Sequence, residues 1–515
     1  MLRIVIKMKK SNSERKQGVV LSYISIITST LVQLLYTPFL TRMLGQSEYG
    51  LYSIVASIIG YLTVLDLGFG NAIVVYTAKY RSKNEYDKEK KMQGMIKVIF
   101  YIIGIIAFIF GIILYFNIDK LFSKSMTTLE VSKAKIMMLI LSFNLLITFS
   151  FSIYSSILTA YEKFTFLKLT SILNTILKPL IMIPLLFLGY KSITMCCCMT
   201  LVNIIVVVLN YFYCRNKLNI NVKYTGFDKK MFIEMFAYSF FIFLAVVVDK
   251  VNWSVDQIII GIVSGTVAVS IYSIASQLNQ LFILLSTAVS GVFLPKMSKM
   301  VANGATSDKL TDEMIKVGRI QYYIIFLMAS GFVLVGKNFI IWWVGTEYME
   351  SYYIALLLII PLCFPLIQNL GISIMQAMNK HKFRAILTSI MAVINIFISY
   401  FLTKSYGAMG AAFGTALSLV ICNIVIMNIY YKAALKLNVL NFWKEIFNMS
   451  LSFAIPILLI LILMKFTNFS GLFSVVLYAT VYTIMYFITV YFVTANSYEK
   501  RLIDDILLKL HVRKV

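Results

Sequence analysis

Several ionisable side chains fall in this sequence where hydrocarbon is expected. The stretch 232–262 is apolar and long enough to cross a bilayer, yet it holds Asp249, Lys250 and Asp256. On a helix, Asp249, Asn252, Trp253 and Asp256 share one face, and Lys250, Ser254 and Gln257 line its edge. Charge at membrane depth is costly and is retained where it faces a bundle interior or a wet cavity. Lys178 sits about ten residues from either end of its own apolar run, too deep for its ammonium to reach interfacial water by snorkelling. Pro179 follows it directly, with Pro184 further on. The first apolar run carries Ser22, Ser25, Ser29, Gln33 and Tyr36 as a single polar stripe at helical spacing. Such stripes also serve as glue between packed helices. Stripe and charged flank together point to a wet cavity. Arg42 fits interfacial anchoring and cavity-mouth contact equally. Asp66, in Leu65-Asp66-Leu67-Gly68, reads as a structural ion pair or helix cap, and Lys97 as a snorkelling anchor. Pro361 and Pro365 predict a bend in the run 351–378.

The chemistry open to these groups is binding rather than bond-breaking. Two His and six Cys are present, with no Cys-x-x-Cys pair, so no metal site, disulfide framework or catalytic set is indicated. Cys196, Cys197 and Cys198 read as small packing residues.

Composition sets the elements that must hold these groups. Of 515 residues, 60% are hydrophobic and 13% charged, and the mean hydropathy is +0.85. A soluble chain could not solvate that surface, so an all-α polytopic membrane protein is expected. The net charge of +25 is dispersed among apolar runs rather than gathered on one face, which argues against nucleic-acid binding. The basic N-terminus lacks the short core and small-residue cleavage site of a signal peptide and reads as leading into an uncleaved span. About fourteen spans are expected, near 18–41, 49–78, 95–116, 136–160, 168–190, 192–214, 232–262, 266–294, 317–336, 351–378, 384–403, 407–431, 445–465 and 471–494. With the N-terminus inside, inner segments hold 35 of the 47 Lys and Arg, outer segments hold 9, and Lys97, Lys178 and Lys250 lie within spans. That asymmetry places both termini in the cytoplasm. The connecting loops, about twenty residues at most, cannot bury a soluble core.

The two halves repeat. Gly45 then Tyr52-Ser53-Ile54 returns as Gly265 then Tyr272-Ser273-Ile274, and Leu169-Thr170-Ser171-Ile172 returns as Leu387-Thr388-Ser389-Ile390. A six-span offset preserves orientation, so the repeat is parallel. The expected organisation is a lobe over 1–215 (spans 1–6), a second over 216–432 (spans 7–12), and two appended spans with a tail over 433–515. A parallel two-lobed layout with a central cleft is a transporter layout.

The run Thr37-Pro38-Phe39-Leu40-Thr41-Arg42-Met43-Leu44-Gly45 followed by Glu48-Tyr49-Gly50-Leu51-Tyr52 resembles the start of Wzx-type polysaccharide-repeat flippases. Leu65-Asp66-Leu67-Gly68-Phe69-Gly70 resembles their second-span ending, and Tyr406-Gly407-Ala408-Met409-Gly410-Ala411-Ala412 the lead-in to their twelfth span. Gly189-Tyr190-Lys191-Ser192 departs from that Gly/Ala-rich pattern before span 6. The resemblance extends to the MOP superfamily, with multidrug (MATE) and peptidoglycan-precursor flippases as relatives. It implies a MATE-like fold and a non-enzymatic flippase of the bacterial inner membrane for O-antigen, lipopolysaccharide, capsular or exopolysaccharide synthesis. The cargo would be an undecaprenyl-diphosphate-linked oligosaccharide, moved to the outer leaflet by alternating access. On that reading Arg42, Lys178 and Lys250 would hold the diphosphate, with Tyr36, Gln33 and Trp253 against the sugars. Asp249 and Asp256 would neutralise Lys250 or bind a coupling proton or sodium ion, with Asp66 a further candidate. No cofactor beyond that ion is implied. Partners would be the lipid-linked oligosaccharide, membrane lipids, and polymerase and chain-length machinery, with no nucleic acid. A MATE-like cation-coupled drug exporter is the alternative, for which an acidic cavity is expected; cavity candidates of both signs favour an anionic cargo. A membrane glycosyltransferase or polymerase would need a larger outer loop or a carboxylate-bearing surface site.

Overall fold

The computed structural model describes the backbone of residues 2–467 and 471–512; the side chains of 2–16, 19, 241, 245, 248, 249, 252, 253, 288–292, 294 and 506–512 lie outside the description. Among the described residues every regular element is helical. The α-helices are α1 (Leu2–Leu62), α2 (Phe69–Ser82), α3 (Tyr86–Phe122), α4 (Thr128–Ala160), α5 (Phe164–Phe187), α6 (Ser192–Asn216), α7 (Lys229–Ala302), α8 (Ser307–Val344), α9 (Glu350–Ile367), α10 (Asn369–Ala377), α11 (Lys382–Leu419), α12 (Met427–Ala433), α13 (Val439–Phe447), α14 (Leu451–Phe466), α15 (Gly471–Thr489) and α16 (Ser497–Val512). Among the described residues eleven segments are long and apolar enough to span a membrane, and the chain is a multi-pass membrane protein.

Length shows where single runs must cross twice. α1 has 61 residues and α7 has 74. At 1.5 Å per residue these would be about 90 and 110 Å as straight rods, against a hydrocarbon core of about 30 Å. Each is broken at a glycine: Gly45 (φ 77°, ψ 169°) in α1, Gly265 (φ 82°, ψ −172°) in α7, and likewise Gly407 (φ 56°, ψ −138°) in α11. A side chain with a Cβ is strained there. Counting each broken segment as two crossings is consistent with fourteen passes.

Two spans read as continuous in the sequence are interrupted. The run 49–78 passes through a 3-10 turn at Thr63–Asp66, then Leu67 (φ 52°) and Gly68 (φ 75°) reset the chain before α2. The run 351–378 divides at Gln368 between α9 and α10, just after Pro365. Proline there lacks an N–H and crowds the preceding turn.

The repeat is visible in local geometry. Phe166 stacks on Tyr213 at 4.0 Å, and 217 residues later Phe383 stacks on Tyr430 at 4.0 Å. Asn219 (φ 54°) and Lys436 (φ 57°) keep the same spacing, as do Glu162 (φ 57°) and Asn379 (φ 56°).

The chain forms two compact units, one of residues 1–273 with 403–408, the other of 274–402 with 409–515. In the first, α3 packs along α4, α4 along α6 and α1 along α5. α1 and α5 run in the same direction: Gly18 lies against Phe164, Ser25 Oγ is 3.5 Å from Ser171 Oγ, and the Phe39 and Phe187 rings meet edge-on at 5.3 Å. Past Gly45, α1 meets α7, and a Cβ on Gly50 would fall 1.8 Å from the Thr266 carbonyl oxygen. In the second unit, Val475, Tyr478, Tyr482, Tyr486 and Val490 pack with Val335 and Ile460 in one core of α8, α14 and the α15 run. Tyr486 Oη donates to the Tyr323 carbonyl at 3.0 Å, satisfying a phenol that would otherwise be stranded in hydrocarbon.

Candidate functional site

All sequence candidates fall in the first unit. α5 shows most plainly which way its polar groups face. Its exposed large apolar residues are Leu169, Leu173, Ile176, Leu180 and Phe187, a single stripe that reads as lipid-facing. At 100° per residue, Lys178 lies about 170° from the centre of that stripe and Asn174 about 130°. The buried Thr170 and Met182 bracket both on the same inner arc. Lys178 is half-buried, and among the described residues no carboxylate forms an ion pair with it. Asn174, one turn earlier, has a buried Oδ1 with no hydrogen-bond partner.

α1 is arranged in the same way. Val20, Tyr23, Ile24, Ile27, Leu31 and Leu35 form its exposed apolar face, and Ser22, Ser25, Ser29, Gln33 and Tyr36 stand opposite. Ser22 and Ser29 are turned to their own helix, donating to Gly18 O (2.8 Å) and Ile26 O (2.9 Å), so only Ser25 reaches α5. The α1/α5 register, offset by 146 at Ser25–Ser171 and 148 at Phe39–Phe187, puts Lys178 level with residues 30–32, next to Gln33. Tyr36 stands within electrostatic reach of Cys198 and Tyr52, and Tyr52 Oη contacts Met199 Sδ at 2.9 Å. Arg42 is exposed, near the Gly45 break. The six cysteines are free thiols, with Cys196 and Cys198 buried in packing.

On α7, the charged flank divides. Asp256 is 2% exposed and accepts a 2.5 Å hydrogen bond from Tyr272 Oη across the Gly265 break. These two positions match Tyr36 and Tyr52 at the repeat offset of 220, so a carboxylate–phenol pair replaces two phenols. Gln257 is hydrogen-bonded by Ser57 Oγ. Lys250 is half-buried; its carbonyl accepts from Tyr61 Oη at 3.1 Å, and its Nζ would lie 3.7 Å from a Cβ on Gly60. Asp249 and Trp253 lie outside the described side chains. Asp66 accepts from the Gly70 backbone N–H at the start of α2, as a helix-start carboxylate does. Lys97 Nζ donates to Val222 O at 3.3 Å, tying α3 to the segment before α7.

Three charged clusters escaped the sequence reading. Glu48, 8% exposed, is held by Lys133 and Ser192 Oγ; close by, Glu130 accepts from Ser47 (2.5 Å) and Thr266 (2.7 Å), which pins α4 to the helices leaving the Gly45 and Gly265 breaks. Away from those breaks, Glu89 accepts from Tyr161 Oη (2.8 Å) and Gln93 (3.0 Å), and the Arg81 guanidinium lies 3.8 Å over the Tyr161 ring. In the second unit Arg319 grips Glu499 through two nitrogens, at 2.5 and 2.8 Å. All three join a helix-end charge to a partner far off in sequence, which no local pattern marks.

A family model described as polysaccharide biosynthesis protein matches residues 16–301. The chain belongs to that family. Every candidate named above lies inside the matched stretch, whereas Arg319 and Glu499 lie beyond it. Among relatives of this chain is a Shigella flexneri protein named "Putative O-antigen transporter", 22% identical over 410 residues, covering 78% of this chain and 94% of that one. Among solved structures, lipid II flippase MurJ in an inward closed conformation superposes with a TM-score of 0.71 at 19% identity, covering 92% of this chain and 97% of that one. An inward-facing multidrug resistance MATE family transporter of the MOP superfamily superposes at 0.60 and 14% identity, covering 79% and 96%. The fold is thus that of the MOP superfamily, and the relatives are transporters and flippases rather than enzymes.

Proposed function

We propose that this chain is a flippase that carries undecaprenyl-diphosphate-linked oligosaccharide from the inner to the outer leaflet of the bacterial cytoplasmic membrane. The observation that carries the reading is Lys178, a cation turned away from the apolar face of α5 with no carboxylate paired to it among the described residues. An ammonium held at membrane depth without a counter-ion is poised for an anion that arrives with the cargo. A diphosphate cannot cross hydrocarbon unaided, because burying its charge is prohibitive. Lys250 supplies a second cation on α7, and Gln33, next to the level of Lys178, and Tyr36, about a turn further along α1, offer hydrogen-bonding and stacking surface to sugars. A cation exporter would call for the opposite polarity at these positions. Both termini lie in the cytoplasm on this reading, and the Glu48–Glu130 cluster faces outward. The two lobes alternate access about the site, with Asp256 and its Tyr272 partner available to a coupling proton or sodium ion. Products pass to polymerase and chain-length machinery at the outer face.

The test is made in cells. Deleting the gene removes surface polysaccharide and strands the lipid-linked oligosaccharide in the inner leaflet, and the wild-type gene on a plasmid restores both. Unchanged surface polysaccharide in the deletion strain would overturn the reading.

A further inference from the structure

Asn174 has no part in the diphosphate site proposed above, yet its side chain, like the Thr165 hydroxyl at the start of α5, is left incomplete among the described residues. Its Oδ1 is buried and accepts nothing, and no hydrogen bond is made by the side chain among the described residues. A buried amide oxygen left without a donor costs about 1–3 kcal/mol, so such a group persists where something else supplies the donor. It lies one turn before Lys178, so the two side chains are neighbours with Cβ atoms about 5–6 Å apart. Both occupy the arc between Thr170 and Met182, opposite Leu169, Leu173, Ile176 and Leu180, so lipid is not the missing partner. On the facing helix, Ser25 reaches Ser171 one turn before Asn174, and the register brings Gln33 level with Lys178. The wall therefore presents an acceptor without a donor beside a cation without an anion.

One kind of ligand answers both: a group that carries negative charge and, a few ångströms away, an O–H or N–H donor. A phosphate on the anomeric carbon of a sugar has that form, with the hydroxyl or acylamino substituent of the neighbouring ring carbon at about the separation of the two side chains. A bare lipid diphosphate answers only the cation. We propose that Asn174 and Lys178 form a glycosyl-phosphate subsite, in which Lys178 takes a phosphate oxygen and Asn174 Oδ1 accepts from the first sugar. This rests on the flippase reading and adds to it how the protein would tell a loaded carrier lipid from an empty one. A flippase with only cations would bind the recycled, sugar-free carrier as well as its cargo. The buried amide favours the loaded carrier, because its oxygen gains a donor only when the sugar is present.

The experiment uses the full-length protein in detergent and two probes, farnesyl diphosphate and farnesyl diphosphate bearing N-acetylglucosamine, with binding followed by native mass spectrometry. Wild type is expected to prefer the sugar-bearing probe. Asn174→Ala should weaken that probe about five- to tenfold, the worth of one hydrogen bond, and leave the bare probe unchanged; unchanged binding of the bare probe also certifies the fold. Lys178→Ala should weaken both probes alike. Asn174→Asp, which places a carboxylate one turn before Lys178 and pairs with it, should weaken both as well. If wild type binds both probes and Asn174→Ala loses neither or loses both equally, the subsite is overturned while the flippase reading stands. If wild type binds neither probe, the lipid-diphosphate reading falls and the subsite with it.

Discussion

Glu499→Ala is the perturbation whose magnitude the structure sets most directly. Arg319 and Glu499 are 6% and 5% exposed, and the guanidinium meets the carboxylate through Nε at 2.5 Å and Nη2 at 2.8 Å. Removing one member of such a buried pair leaves a charge without compensation, at about 3–5 kcal/mol. The Thr494 carbonyl (2.9 Å from Nη2) and the Glu445 carboxylate (3.5 Å from Nη1) remain, although Glu445 is 41% exposed and its attraction is screened. The cost should therefore fall near the lower bound, about 3 kcal/mol. For a unit of 236 residues, each kcal/mol moves the melting midpoint about 2–4 °C, so the expected fall is about 6–12 °C. The assay is thermal unfolding of the purified protein in detergent. Arg319→Met with Glu499→Leu removes both charges and should return the midpoint to within about 1 kcal/mol of wild type. A single Glu499→Ala variant that melts with wild type, or a double variant that melts below the single, would refute the account of α16 docking on α8 through this pair.

Other expectations follow from single features. Gly50→Ala places a methyl 1.8 Å from the Thr266 carbonyl oxygen, which backbone cannot yield, so the variant should fail to give a monodisperse peak in size-exclusion chromatography while Gly331→Ala, whose methyl meets the Tyr482 ring at an ordinary 3.6 Å, gives a normal one. The Asp228 carboxyl is held below the usual carboxylate range by the Met231 N–H and by Lys91, 3.1 Å away. A depressed value means that its contribution is complete above the unfolded value and is lost as pH falls below about 4; protease cleavage within 217–228 should rise between pH 5 and pH 3 in wild type, and Asp228→Asn should show no such step. On the proposed topology, with both termini in the cytoplasm, an alkaline phosphatase fused after Val515 should be inactive.

Much of the architecture could be read from apolar runs, because a bilayer demands about twenty apolar residues per helix and punishes exceptions. The break at Leu67–Gly68 could not: a residue at positive φ inside hydrocarbon leaves no compositional mark. The bend in 351–378 is marked by Pro361 and Pro365, although its place at Gln368 is not. The repeat was visible at Tyr52 and Tyr272. Its clearer landmarks, Phe166–Tyr213 and Phe383–Tyr430, are pairs distant in sequence that become a motif only once stacked. Lys178 stood out because a mid-span lysine has few bland explanations. Asn174 did not, since an asparagine in a membrane helix is ordinary until its oxygen is found without a donor. Arg319 was hidden for the opposite reason: at a span end it counts as one more inside-loop cation, and only packing shows that it is buried against Glu499.

Reconstitution decides whether a cation at Lys178 lets this protein move a lipid-linked oligosaccharide across the bilayer. Proteoliposomes carry undecaprenyl-diphosphate oligosaccharide with a labelled terminal sugar, and an externally added glycosidase reports how fast the inner pool becomes accessible. Wild type should expose the inner pool within minutes, Lys178→Arg should retain most of that rate, and Lys178→Glu should lower it to that of protein-free liposomes while the protein keeps its melting midpoint. Wild-type vesicles no faster than protein-free ones, or Lys178→Glu as fast as wild type, would contradict the account.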